Sequence, residues 1–216
     1  MIAAPSPPPN HTDHQTGPHT DTLPVALLGH DLRAALAEMQ SSLQLLSALN
    51  LTDTDRVSTI GAEAMYIGGP FKAQAEYYTS KAKRYDHDNY PSDGYYISGV
   101  WNVTGETWSY KGGTPGTGLP NNPAGGQWQL GVRYDHMDLN DGNLAANPVA
   151  GRPPIVDGVL GGKMDIWTVG VNYYWRSNTK FALNYVMVDS QKYSSSARGF
   201  VNDDPNILEA RLQFFW

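Results

Sequence analysis

The stretch Trp128-Gln129-Leu130-Gly131-Val132-Arg133-Tyr134-Asp135 decides how this chain reads. Trp128, Leu130, Val132 and Tyr134 fall at every second position, and their alternates Gln129, Gly131, Arg133 and Asp135 are small or polar. Successive side chains of a β-strand point to opposite faces, so this period predicts a strand with one apolar and one polar face. The pattern continues on both sides. Trp167, Val169, Val171, Tyr173 and Trp175 oppose Thr168, Gly170 and Asn172, and Phe181, Leu183, Tyr185 and Met187 oppose Ala182 and Asn184. Upstream, Phe71, Ala73, Ala75 and Tyr77 alternate with Lys72, Gln74, Glu76 and Tyr78. Tyr95, Ile97, Gly99, Trp101 and Val103 alternate with Tyr96, Ser98, Val100 and Asn102. The chain closes with Leu208, Ala210, Leu212, Phe214 and Trp216 set against Glu209, Arg211 and Gln213.

Each segment runs about ten residues, the length of a tilted membrane-crossing strand. A soluble sheet also alternates, but Lys72, Glu76, Arg133 and Arg211 stand in mid-strand, where a dry interior would need every one paired. A water-filled lumen tolerates them. The apolar sets end in Trp or Tyr, as the aromatic girdle of an outer-membrane barrel requires. Trp101, Trp128, Trp167 and Trp175 are the girdle candidates, and Leu212, Phe214 and Trp216 resemble the C-terminal signature read by the barrel assembly machinery. The expected fold is all-β: an antiparallel transmembrane barrel segment of about seven strands, near 56–67, 71–84, 94–104, 127–136, 164–175, 180–188 and 207–216. Gly68-Gly69-Pro70 and Arg176-Ser177-Asn178-Thr179 read as tight turns. Residues 137–163 and 189–205 read as long polar loops at the opposite end, and 105–126 as a connection with a short extended piece at Thr107–Tyr110.

Composition agrees. Lys plus Arg is 15 against 21 for Asp plus Glu, a formal charge of −6, which is the wrong sign for a nucleic-acid backbone binder. Cysteine is absent, so disulfides, thiolate metal sites and cysteine nucleophiles are excluded together. The mean hydropathy of −0.44 and the lack of any run approaching ~18 apolar residues exclude a helical membrane span, but leave a barrel open.

The front of the chain is different. All 13 Tyr, 6 Trp and 5 Phe lie after residue 65, while six of the 15 prolines fall in residues 1–24. That Pro/His-rich opening cannot bury enough surface to order itself and reads as a disordered tail. It has neither the basic start nor the apolar run of a signal peptide. His11, His14 and His19 there are read as solvated side chains. Residues 25–50 carry Leu28, Leu32, Leu36, Met39, Leu43 and Leu46 at spacings of four, four, three, four and three, the stripe of one amphipathic helix. Within it, His30-Asp31-Leu32-Arg33-Ala34-Ala35-Leu36 resembles the H-box of sensor histidine kinases, although Ala34-Ala35 replaces the usual small-residue-then-proline pair. That resemblance implies, as the alternative function, a phosphoacceptor fragment with His30 phosphorylated and Asp31 assisting.

Residues 53–216 carry GAEAMYIGGPFKAQAEYY, WNVTGE, GGQWQLGVRYDHMDLNDG, WTVGVNYYWRSNTKFALNYV and LEARLQFFW in that order. This series resembles the phosphate- and polyphosphate-selective porins, the O and P porins of Gram-negative outer membranes. The resemblance implies trimers of sixteen-stranded barrels that pass anions down their gradient, without enzymatic chemistry or cofactor. This chain corresponds to the C-terminal portion, about seven of the sixteen strands, behind a leader foreign to the family. Roughly nine strands, the signal peptide and the constriction loop would lie outside it. Outer-membrane lipid and inorganic phosphate or another anion are the expected partners.

By parity, Lys72, Arg133 and Arg211 face the lumen and Lys180 sits near one mouth; these four are the candidate anion path. The competing reading makes them wall ion pairs with Glu63, Glu76, Asp135 and Glu209. Other motifs are weak. Gly112–Gly118 lacks the Lys-Ser/Thr of a phosphate loop, and Asp138–Asn143 lacks the closing Glu of a calcium loop. Asp86, Asp88 and Asp93 read as a solvated acidic loop, so no metal site is expected.

Overall fold

The computed structural model describes residues 53–118, 120–175 and 178–214. The tail at 1–24, the helix at 25–50 with His30 and Asp31, and Trp216 lie outside the described residues.

Ten strands follow one another: β1 (Thr54–Gly68), β2 (Phe71–Arg84), β3 (Tyr90–Asn102), β4 (Trp108–Lys111), β5 (Thr114–Thr117), β6 (Gln127–Ala145), β7 (Ile155–Trp175), β8 (Thr179–Ser194), β9 (Gly199–Asp203) and β10 (Asn206–Phe214). No helix occurs among the described residues. The main sheet runs β1-β2-β3-β6-β7-β8-β10, with β9 added to β8, and every pairing is antiparallel. Apart from the inserted β4–β5 hairpin and β9, each strand of the sheet pairs with the next in sequence, so the sheet is a meander. Among the described residues β1 pairs only with β2, and β10 only with β8. Both ends of the meander are open edges.

The register puts the two alternating sets on opposite faces without exception in the central strands. Trp101, Leu130, Val171, Leu183 and Ala210 are linked by successive cross-strand pairs, as are Ile97, Tyr134, Trp167 and Met187. None of the described residues covers this apolar face: Ile97 is 57% exposed, Trp128 45%, Val169 48% and Leu208 70%. The buried apolar side chains among the described residues are Ala82, Tyr90, Val159 and Ala182. A sheet of this size cannot repay its ordering entropy from four such residues. Its apolar face therefore has to meet something other than water.

Aromatics border that face at two levels. Phe71 stacks on Trp101 (5.9 Å between centroids) and Trp128 meets Tyr173 at a tilt (4.6 Å), near the tight turns. Tyr134 meets Trp167 at 4.9 Å and Tyr95 at 6.0 Å on the other border. Aliphatic and small side chains fill the band between: Ala73, Ala75, Gly99, Leu130, Val132, Val169 and Val171.

The expected loops at 137–163 and 189–205 are corrected. Residues up to Ala145 pair with a strand beginning at Ile155, and Ser190–Ser194 pair with Gly199–Asp203. The strands thus continue beyond the upper aromatic border. The period-two signal is lost there because neither face of the extension has to be apolar. A register shift between Asp138 and Asn140 marks where the β6–β7 ribbon departs. Gly158 (φ 87°) makes its closest approach, facing Gly142 across the ribbon. A Cβ at Gly158 would fall against the Asp141 carbonyl oxygen.

Gly158→Ala therefore combines a left-handed backbone with a backbone clash and should weaken the ribbon by ~1–3 kcal/mol. Amide exchange should accelerate about tenfold or more at Asp141–Val159 and stay unchanged in β2–β3. Unaltered ribbon protection would contradict this account.

Candidate functional site: a stepped series of cations

Lys72, Arg133, Lys180 and Arg211 all lie on the polar face, on β2, β6, β8 and β10. Following their cross-strand partners back to β6 orders them. Arg133 occupies its own level; Lys72 pairs with Val100, which pairs with Gly131. Arg211 pairs with Ala182, Ala182 with Asn172, and Asn172 with Gln129. Lys180 pairs with Tyr174, and Tyr174 with Gln127. The four cations thus take the successive same-face levels 133, 131, 129 and 127, roughly 7 Å apart along the strand. They step toward the end that carries the tight turns.

Their surroundings differ. Arg133 donates from Nε to both oxygens of Asp135 (2.8 and 2.9 Å), and its guanidinium lies 3.8 Å from the Tyr96 ring centroid. For Arg133 the wall-pair reading holds. The Lys72 ammonium lies 5.2 Å from the Trp108 ring, and that of Lys180 5.2 Å from the Tyr174 ring. Lys180 and Arg211 make no ion pair with any described residue. Among the expected acidic partners, Glu63 instead accepts from Gln74 Nε2 (2.9 Å), which also bonds the Tyr96 hydroxyl (2.8 Å).

The turn end is closed by a buried polar network. Asn172 Nδ2 donates to Gln129 Oε1 (3.3 Å), Gln129 Nε2 to Asn102 Oδ1 (2.9 Å), and Asn102 Nδ2 to the Glu106 carbonyl (2.6 Å). The buried Glu106 carboxylate accepts from Thr104 Oγ1 and from the Asn121 backbone N–H. This network fixes the 103–126 connection, whose expected extended piece is β4, paired with β5 as a hairpin. Trp108 anchors the hairpin by donating its backbone N–H to Gly69 O (2.9 Å) and its indole N–H to Pro70 O (3.1 Å). A cavity of about 480 Å³ remains between the hairpin and β1, lined by Glu63, Met65, Ile67, Tyr110 and Gly113.

At the far end a second cluster ties β1 to β2. Asp53 accepts from Arg84 Nε (2.9 and 3.2 Å) and bonds His87 Nδ1 (2.6 Å), while the Tyr85 backbone N–H donates to Asp53 O (3.0 Å). The His87 hydrogen bond, then Arg84, hold the Asp53 carboxyl down at about 2.

An apolar face that the described residues leave uncovered, a polar face stepped with cations and an antiparallel meander fit the wall of a membrane barrel. Residues 35–216 match the family described as phosphate-selective porin O and P. The chain belongs to that family. It is 30% identical over 157 residues to an uncharacterized protein of Caulobacter vibrioides, covering 71% of this chain and 29% of that one. It is also 30% identical over 161 residues to Porin O of Pseudomonas aeruginosa, covering 73% of this chain and 35% of that protein. The chain therefore spans about a third of the length of these curated relatives. The O and P porin match begins ahead of residue 53, inside the amphipathic stretch, and places the chain in the outer membrane among channels rather than enzymes.

Within the O and P porin sheet, the girdle candidates Trp101, Trp128 and Trp175 fall at the turn-side border and Trp167 at the other; Leu212 and Phe214 are exposed on the apolar face of β10. Sequence reasoning set Tyr78 and Tyr96 on the polar face without giving them a role and left Tyr174 out, although the doublet Tyr173-Tyr174 breaks the alternation there. Trp108, from a connecting segment, left no such mark.

Because the Asp53 carboxyl is depressed in the folded chain, the tie it makes contributes fully above the ordinary carboxyl value of 3.8 and is lost as pH falls through about 2. The Asp53 carboxyl carbon should titrate near 2 by NMR, and His87→Ala should raise that midpoint more than Arg84→Ala does. A midpoint near 3.8 in the unaltered chain would contradict the tie.

Proposed function

We propose that this chain supplies the C-terminal wall of an outer-membrane channel that passes phosphate or polyphosphate by diffusion, without covalent chemistry. The observation that carries the reading is the stepped cation series on the polar face, each level backed by hydrogen-bonding or aromatic side chains. An anion leaving bulk water needs a cationic partner at each stage, held closely enough to help and loosely enough to release it. Spacing of about 7 Å lets a phosphate reach the next level before it leaves the last.

In this reading Lys72, Lys180 and Arg211 attract the anion, and Arg133 shapes the wall together with Asp135 and Tyr96. The apolar face meets acyl chains, and its two aromatic borders sit at the lipid–water boundaries. The open edges of β1 and β10 must be paired by further strands, because lipid offers no hydrogen bonds to a bare strand edge. Closure of the barrel, its assembly as a trimer and recognition of β10 by the assembly machinery follow from family membership as parts of this proposal.

Outer membranes from cells producing the chain together with the strands that close its barrel, fused with planar bilayers, should show discrete anion-selective steps whose current saturates with phosphate. Lys180→Met combined with Arg211→Met should lower phosphate current several-fold at 0.1 M salt and much less at 1 M, where screening shortens to about 3 Å. Cation selectivity, or a double variant indistinguishable from the parent, would refute the proposal.

A further inference from the structure

Lys180 has no carboxylate partner among the described residues, yet its ammonium is held. It lies 5.2 Å from the centroid of Tyr174, its direct cross-strand partner on β7. The distinction between a ring and a carboxylate matters for an anion path. A carboxylate holds a cation by cancelling its charge, as Asp135 does for Arg133. An aromatic face holds a cation through its quadrupole and leaves the net charge intact. It also restrains a flexible four-carbon stem that would otherwise sweep a large volume.

Arg211 stands diagonally across the β8–β10 pair from Lys180, since Arg211 pairs with Ala182 and Gln213 with Lys180. Diagonal neighbours on one face are roughly 7–8 Å apart. Two uncancelled positive charges at that separation repel each other, and only a partner that restrains the lysine keeps them facing the same space. Tyr174 is that partner. The Lys72 ammonium also lies 5.2 Å from a ring, that of Trp108 on the hairpin.

We propose that Tyr174 is a positioning residue for anion passage, its ring seating the Lys180 ammonium so that Lys180 and Arg211 together meet a phosphate at the turn-side mouth. This rests on the anion-path reading above and goes beyond it by naming how the charge is held available.

Two measurements on the full chain separate the positioning role from the path itself. In the detergent-solubilised protein, lysines converted to their ¹³C-dimethyl forms keep their charge. The Lys180 methyl signal, assigned by its loss in Lys180→Met, should be shifted upfield by the ring. Tyr174→Phe should keep that shift and Tyr174→Leu abolish it. In bilayers, the phosphate concentration giving half-maximal current should rise about threefold to tenfold in Tyr174→Leu and stay within about twofold of the parent in Tyr174→Phe. Adding Lys180→Met to Tyr174→Leu should cause no loss beyond Lys180→Met alone. If Lys180→Met shifts the half-saturation point and Tyr174→Leu does not, or if the two effects add, the positioning role fails while the path stands. If Lys180→Met changes nothing, Lys180 is not on the path and both fail. An unshifted Lys180 signal in the parent overturns the seat directly.

Discussion

The whole sheet depends on one constraint: it has an apolar face against which the described residues put nothing. Side chains that would form the interior of a soluble protein, such as Ile97, Val169 and Leu208, are turned outward and largely exposed. The opposite face cannot take over as a core, because it carries Lys72, Arg133, Lys180 and Arg211. Burying such groups away from water would cost more than the available pairs return. Lipid on one side and water on the other satisfy both faces at once. The aromatic borders, the small and aliphatic band between them and the continuous antiparallel ladder all follow from that division.

The same division frees the polar face for electrostatics. In a dry interior every cation would have been matched by a carboxylate, and the wall would present no net charge to a passing ion. Of the candidate cations, Arg133 is matched in that way by Asp135. The Lys180 ammonium lies against an aromatic face, and Arg211 makes no ion pair with a described residue. The buried Asn102–Glu106–Gln129–Asn172 network does different work. It fixes the connection from which the β4–β5 hairpin brings Trp108 beside Lys72.

Much of this was legible in the sequence because a period of two survives wherever two faces meet different solvents. The bounds of β2 were read as 71–84, as found, and parity set Lys72, Arg133 and Arg211 on one face, with Lys180 placed near one mouth. Legibility ended where that contrast ended. Beyond the upper aromatic border β6 and β7 extend to Ala145 and back to Ile155, with water on both faces, and the residues read as loop. The stepped order of the cations was hidden for another reason. It depends on which residues of β2, β8 and β10 pair with which residues of β6, and register is a property of the sheet rather than of any one strand. The ring partners were half visible, since Tyr96 and Tyr174 interrupt the alternation, whereas Trp108 reaches Lys72 from a connecting segment with no periodic signal.

The natural absence of cysteine makes the central claim directly measurable. Single cysteines placed in turn from Trp128 to Asp135 and spin-labelled in the membrane-assembled protein report collision with oxygen, which concentrates in lipid, and with a water-soluble nickel chelate. Oxygen access should peak at 128, 130, 132 and 134 and nickel access at 129, 131, 133 and 135, the two curves running out of phase. Curves that vary together, or oxygen access greatest at 129, 131 and 133, would contradict the division of the sheet between lipid and water.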